Sequence, residues 1–201
     1  MKKIIAGVSA LALSLSMTSV AFAATANTQQ SISATVQENL TLSCAAVDID
    51  GGTTNLVADG STIVSNTTYC LVTTNDTDGY HLQIREDTPL THTDGDTIAD
   101  KTAWNGSNAT AYSPTGLAFR VSNNDTGAMN TTAWGTNTTC TANDTNELFA
   151  GLPTALTDIL EEDDYNAGSS NTTICYAVSV PSTQKSGEYT GQVTYSVTTG
   201  A

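Results

Sequence analysis

The C-terminal stretch, residues 172–199, constrains the fold more than any other part of the chain. It contains two runs of alternating β-formers, TTICYAVSV and YTGQVTYSVTT, joined by a polar connection that includes a proline and a glycine. In the second run, every other residue shares one side: Tyr189, Gly191, Val193, Tyr195 and Val197. A period of two in Thr, Val and Tyr predicts a strand with one buried and one solvated face.

Similar but shorter patterns recur along the chain, at residues 31–36, 40–44, 67–74, 80–85 and 116–122. The Asn, Asp and Gly residues at 75–79 predict a hairpin between two of these strands. Leucine and isoleucine at spacings of three to four indicate a short helix within residues 154–162. Short strands separated by turn-rich segments predict an all-β fold, a single antiparallel immunoglobulin-like β-sandwich with at most one short helix.

Residues 1–23 have the features of a signal peptide. Lys2 and Lys3 precede an apolar run, which ends in the small-x-small pattern of residues 21–23. Serine and threonine interrupt that run, which favours cleavage over a retained membrane anchor. We therefore expect a β-sandwich domain over residues 24–201. It is predicted to be secreted, extracellular or on the cell surface, with no membrane insertion after cleavage.

Four cysteines, Cys44, Cys70, Cys140 and Cys175, are an even number in a chain predicted to be exported. This predicts two disulfides. Three pairings are open from the sequence. Cys44–Cys70 with Cys140–Cys175 is favoured, because each bond would then close a loop within one half of the chain. The absence of a Cys-x-x-Cys spacing argues against a zinc site.

The charge and motif content excludes several classes of function. Six basic and twenty acidic residues give a formal net charge of −14, which argues against nucleic acid or anionic membrane as a partner. No Gly-x-Ser-x-Gly elbow accompanies the two histidines, so no enzyme is predicted. The acidic loops lack EF-hand spacing, and neither a metal nor another cofactor is predicted.

Two tryptophans in the middle of the chain suggest an alternative role. Trp104 and Trp134, with Tyr112 nearby, lie in Asn- and Thr-rich segments predicted to be loops. Aromatic side chains in polar loops can stack on sugars, so a monomeric adhesin or glycan-binding module is the second hypothesis. Its partner would be a surface glycan or a host surface. The competing interpretation is that these rings pack loops onto the sandwich.

The two ends of the chain resemble a known family. Residues 31–36, SISATV, followed by Leu-Thr-Leu at 40–42, resemble the N-terminal strand of bacterial fimbrial subunits of the class 5 type. Residues 186–197, SGEYTGQVTYSV, resemble the C-terminal strand of the same subunits. They are also similar to the closing strands of spore-coat-U-type pilins and of wall-associated Trp-x-Leu domains. The cysteine placement leans towards the spore-coat-U type, and neither tryptophan has leucine two residues later.

This resemblance implies a structural cell-surface protein, a fimbrial subunit that forms a homopolymer by β-strand exchange. Ile32, Ala34 and Val36 would then be the anchors of the donor strand. The acceptor groove would be bordered by the strand that carries Tyr189, Val193, Tyr195 and Val197. The alternative is that residues 31–36 pair within their own domain as an ordinary first strand.

Overall fold

The computed structural model describes residues 31, 33–49, 55–113, 115–125, 131–136, 138–140, 142, 146–163 and 168–200. It divides into two compact units, Met1–Val36 and Gln37–Ala201. In the first unit, the described residues lie in neither helix nor strand. The expected strand at residues 31–36 is therefore not found over its described part. The predicted signal peptide and Ile32 lie outside the described residues.

The second unit is built from strands. Within its described residues these elements follow in chain order: β1 (Leu40–Cys44), β2 (Val64–Thr74), β3 (Tyr80–His92), β4 (Thr110–Ala111), β5 (Gly116–Asn124), α1 (Thr131–Trp134), β6 (Leu148–Phe149), β7 (Thr157–Glu162), β8 (Gly168–Ser179) and β9 (Tyr189–Thr199). No helix among the described residues has the length and apolar character needed to cross a membrane.

Two antiparallel sheets enclose the core. The first has the strand order β1-β2-β8-β5 and the second has the order β7-β3-β9, with a small β4-β6 pair beside them. In the first sheet, Ile174 of β8 lies between Thr68 of β2 and Val121 of β5. Inward side chains such as Ile174 and Leu82 of β3 are fully buried in one apolar cluster. This confirms the predicted antiparallel β-sandwich.

The predicted hairpin at residues 75–79 is wrong. The strands on either side of it, β2 and β3, belong to different sheets and do not pair with each other. Next to the turn, every second residue is buried in both strands, from Thr68 to Thr74 in β2 and from Tyr80 to Ile84 in β3, because the two strands face the same core from opposite sides. Gly79, which has a φ of +81°, lies against the backbone of Glu162, where a Cβ would be 1.7 Å from the carbonyl oxygen. The turn-forming residues therefore carry the chain from one sheet to the other.

The predicted helix at residues 154–162 is also wrong, because this segment contains β7. Leu82 pairs with Leu160 and Gln83 pairs with Asp158, so Ile159 is the extra residue of a β-bulge. A bulge breaks the alternation of a strand. As a result Ile159 and Leu160 are both buried although they are consecutive, which produces the spacing that suggested a helix.

The turn-rich middle of the chain is held by a buried ion pair. Arg120 of β5 lies 3.2 Å from the Glu147 carboxylate, and neither side chain is exposed to solvent. The same guanidinium donates a hydrogen bond to the carbonyl oxygen of Trp134 at 2.9 Å. Charges of this kind are stable inside a protein only when they are paired and hydrogen-bonded. The pair thus ties the segment around α1 and β6 to the first sheet.

Candidate functional site: a groove along the edge of β9

The last strand, β9, is an edge strand. It pairs with β3 along its length, from Tyr189 opposite His92 to Thr199 opposite Tyr80. Among the described residues, no strand pairs with its other side. The side chains of Val193, Tyr195 and Val197 pack against the core, as their shared parity predicted, but they are only partly buried. An unpaired edge of this length presents a row of backbone N–H and C=O groups that can pair with another strand.

A groove runs beside this edge, entirely within the second unit. Its volume is about 1060 Å³. Strand β9 and the connection at 184–188 form one side, and residues 45–49 with 55–58 form the other. The apolar side chains in its lining include Leu90, Ile98, Leu117, Leu152, Tyr176, Val178 and Val180. Several of these belong to the buried core, so the groove leads directly onto the interior of the sandwich.

The groove exists because the first sheet is incomplete at this end. Strand β1 pairs only with the second half of β2, ending where Cys44 lies opposite Cys70. The chain then leaves the sheet: Thr68 donates a hydrogen bond to the Ala45 carbonyl oxygen, and Asn66 donates one to that of Asp48. The first half of β2 therefore has no β1 partner, and residues 45–49, which these bonds hold beside it, line the groove.

Two tyrosines join the sheets inside the groove. The hydroxyl of Tyr176 on β8 is hydrogen-bonded to that of Tyr195 on β9. Burial raises the pKa of Tyr176 to about 12, and burial together with the neighbouring phenol raises the pKa of Tyr195 above its ordinary value. Both hydroxyls therefore stay protonated at neutral pH, and the bond fixes the position of β9 relative to the first sheet.

Two carboxyl groups meet at the groove wall. Glu86 of β3 lines the groove, and the carboxyl group of Asp100 is close enough to be influenced by its negative charge. One oxygen of each side chain is buried without a hydrogen-bond partner. Burial, and then the negative charge of Glu86, raise the pKa of Asp100 to about 8. Asp100 therefore keeps its proton at neutral pH.

The other charges around the groove are paired near its rim. The Asp87 carboxylate accepts hydrogen bonds from Thr194 and from Arg85, which hold its pKa below the ordinary value. Lys185 lies 2.7 Å from the Asp96 carboxylate and 3.9 Å from that of Asp94. The rim is thus polar and charged while the lining beneath it is largely apolar.

Both disulfides join the cysteines in the pairing that the sequence favoured. Cys44 is bonded to Cys70 and Cys140 to Cys175. The first bond links β1 to β2 next to the point where the chain leaves the sheet. The second fastens residues near α1 to the outer side of β8, where Cys175 is fully buried. Disulfides of this kind are typical of proteins that fold outside the reducing cytosol.

The aromatic residues considered for ligand binding are buried. Trp104 and Trp134 lie with ring centroids 4.2 Å apart and are 4% and 0% exposed. Their indole N–H groups donate hydrogen bonds to the backbone carbonyls of Asp158 and Ile159 on β7. Tyr112 is also buried and donates a hydrogen bond to the Gly116 carbonyl. These rings pack the middle segment onto the sandwich and leave no open face for a sugar.

Several groove residues escaped sequence reasoning. Asp100 lies in a turn-rich segment whose acidic residues lack EF-hand spacing, so the sequence assigned it no role. The described residues contain no cluster of three or more His, Cys, Asp or Glu side chains arranged to hold a metal. Glu86 gave no signal, because it comes directly after a predicted strand. Its position opposite Val193 at a register shift depends on tertiary pairing.

The sequence matches no protein-family model, and no curated protein is significantly similar to it. Function is therefore inferred from the geometry of the β9 groove.

Proposed function

We propose that this chain is an exported structural protein of the cell surface whose copies assemble by strand exchange. Residues 24–36 of one copy lie in the β9 groove of the next, in the manner of the fimbrial subunits that the two ends of the chain resemble. The unpaired β9 edge beside an apolar groove carries this proposal. Such an edge can accept an extended segment through backbone hydrogen bonds, while alternate side chains of that segment enter the groove.

The donor segment has suitable length for this role. Strand β9 has 11 residues and extends about 36 Å at about 3.3 Å per residue. Residues 24–36 extend about 43 Å at the same rise. The predicted mature N-terminal segment is therefore long enough to run along the whole edge.

The donor segment also has suitable chemistry. Its sequence, ATANTQQSISATV, contains no charged residue, although the chain as a whole carries a formal charge of −14. An uncharged segment can approach an acidic neighbour without repulsion. Ile32, Ala34 and Val36 alternate with Ser33 and Thr35, so one side of the extended segment is apolar. The apolar side would face the groove lining.

The proposed contact is between two different surfaces, a donor segment and an acceptor groove. A contact of this head-to-tail kind leaves a free donor at one end and a free groove at the other. It therefore grows into a fibre unless a rotation closes it into a ring. This expectation distinguishes the proposal from a monomeric binding module.

The first experiment measures the mass of purified residues 24–201 by light scattering, beside a version that lacks residues 24–36. We expect polydisperse assemblies from the longer chain and none from the shorter one. A longer chain that stays monomeric at all concentrations would contradict the proposal.

Point variants avoid the problem that the truncation could unfold the domain. Ala34→Asp places a charge on the apolar side of the donor, and Thr35→Asp places the same charge on the opposite side. We expect Ala34→Asp to abolish assembly, because a carboxylate would be buried in an apolar groove. Thr35→Asp should assemble nearly as the unaltered chain does. Equal effects of the two variants would show that the alternating pattern does not direct the contact.

A further inference from the structure

We infer that the Glu86–Asp100 pair makes filling of the groove dependent on a proton, so that a strand enters most favourably while the two carboxyl groups share one. This inference depends on the proposed function, since it concerns how the same groove is regulated. It begins from the placement of the pair, in which Glu86 lines the groove and Asp100 lies beside it. One oxygen of each is already buried without a hydrogen-bond partner.

The surroundings of the pair supply no compensating positive charge. Opposite Glu86 on β9 is Val193, and the titratable tyrosines of the groove lining, Tyr176, Tyr189 and Tyr195, carry no positive charge. Lys101, next to Asp100, is directed away: its ammonium group contacts the Ser113 hydroxyl and lies over the Tyr112 ring. The remaining charged groups near the groove are ion-paired with one another or are exposed carboxylates. Arg85 is paired with Asp87, Lys185 is paired with Asp94 and Asp96, and Asp48 and Glu188 are exposed.

Residues 24–36 contain neither lysine nor arginine, so the one positive charge of the proposed donor is the α-amino group of residue 24, at the end of the segment opposite Ala34 and Val36. A strand that fills the groove excludes water from Glu86 and leaves the pair with less solvation than before. Loss of solvation disfavours the charged form of a carboxyl group. The filled groove therefore retains its proton to a higher pH than the empty groove does.

The direction of the pH effect follows from this difference. In the empty groove the pKa of Asp100 is about 8, and filling raises it further. Below about pH 8 both states hold the proton, so the affinity for the strand does not change with pH. Above that pH the empty groove releases its proton while the filled groove keeps it, and the affinity falls as pH rises. Each unit by which filling raises the pKa corresponds to a tenfold change in affinity at high pH.

The test compares the assembly of residues 24–201 at about pH 6.5 and about pH 9.5, the two sides of the expected transition. The readout is the protein concentration at which light scattering detects half-maximal assembly. For the unaltered chain we expect this concentration to rise at least about tenfold at the higher pH. In Asp100→Asn, which keeps a hydrogen-bond donor beside Glu86 but cannot lose a proton, it should change less than about twofold.

A matched control removes a different groove carboxylate. Glu188→Gln removes one negative charge, as Asp100→Asn does at the higher pH, but Glu188 is exposed. This variant should keep the full pH dependence of the unaltered chain. Circular dichroism of each variant at both pH values shows whether it is folded, and Asp100→Ser, which also cannot lose a proton in this range, replaces Asp100→Asn if the latter is not.

The outcomes separate the two ideas. Assembly that occurs but does not depend on pH, or that depends on pH equally in Asp100→Asn, overturns the proton inference and leaves strand exchange intact. Absence of assembly from the unaltered chain at both pH values overturns the proposed function and the inference with it.

Discussion

Strands β8 and β9 begin from the same kind of sequence and end in different environments. Strand β8 is paired on both sides, with β2 and β5, and its residues from Ile174 to Ser179 are all buried. Strand β9 is paired only with β3, and the residues of its inward side are partly buried. Alternation thus determines which side of a strand faces inward. The position in the sheet determines how completely that side is covered, and therefore which strand remains available to a partner.

The largest expected effect of a substitution lies in β8. Ile174→Ala should lower the free energy of unfolding by about 2–5 kcal/mol, because it removes fully buried methylene groups and leaves a cavity between the sheets. Denaturant unfolding of a non-assembling background such as Ala34→Asp measures this. A loss below about 1 kcal/mol would show that β8 is not the centre of the core.

An intermediate effect is expected where the two strands touch. Tyr195→Phe removes the hydroxyl that bonds to Tyr176 and leaves the buried Tyr176 hydroxyl without this partner. The free energy of unfolding should fall by about 1–3 kcal/mol in the same assay. The control is Tyr69→Phe, since Tyr69 is 55% exposed and its change should be within about 0.5 kcal/mol. Indistinguishable values for the two variants would mean that the bridge does not hold β9 in place.

The smallest effect on the monomer is expected in β9. Val193→Ala removes two methyl groups from a partly buried position, so the free energy of unfolding should fall by about 1 kcal/mol. The same variant should weaken assembly as well, because a strand lying in the groove would cover Val193. The concentration for half-maximal scattering reports this. A cost as large as that of Ile174→Ala would remove the contrast between the two strands.

Much of the fold could be predicted from the sequence because the relevant signals are local. Alternation located β8, β9 and most of β5, and an even number of cysteines indicated two disulfides. The errors have specific physical causes. The extra residue at Ile159 broke the alternation of β7. The Asn, Asp and Gly residues at 75–79 satisfy a sheet-to-sheet connection as well as a hairpin, because both require a reversal of the chain.

The candidate site was only partly accessible to the same reasoning. The resemblance at the C-terminal end pointed to β9 as the border of an acceptor groove, which remains a proposal. The opposite side of the groove, including residues 45–49, gave no pattern because the chain there is held by single hydrogen bonds from β2 side chains. For Trp104 and Trp134 the sequence left ligand binding and packing both open, and only the structure shows that they are packed, since their indole partners lie on β7, far away in sequence.

The sequence by itself determined an acidic chain, a β-sandwich and the inward side of its last strand, because composition and a period of two act over a few residues. Only the tertiary structure decided that β9 lies at an edge, that a groove opens beside it, and that Glu86 meets Asp100 there. These features depend on which strands become neighbours. That choice is made by the burial of the whole core and not by any single segment.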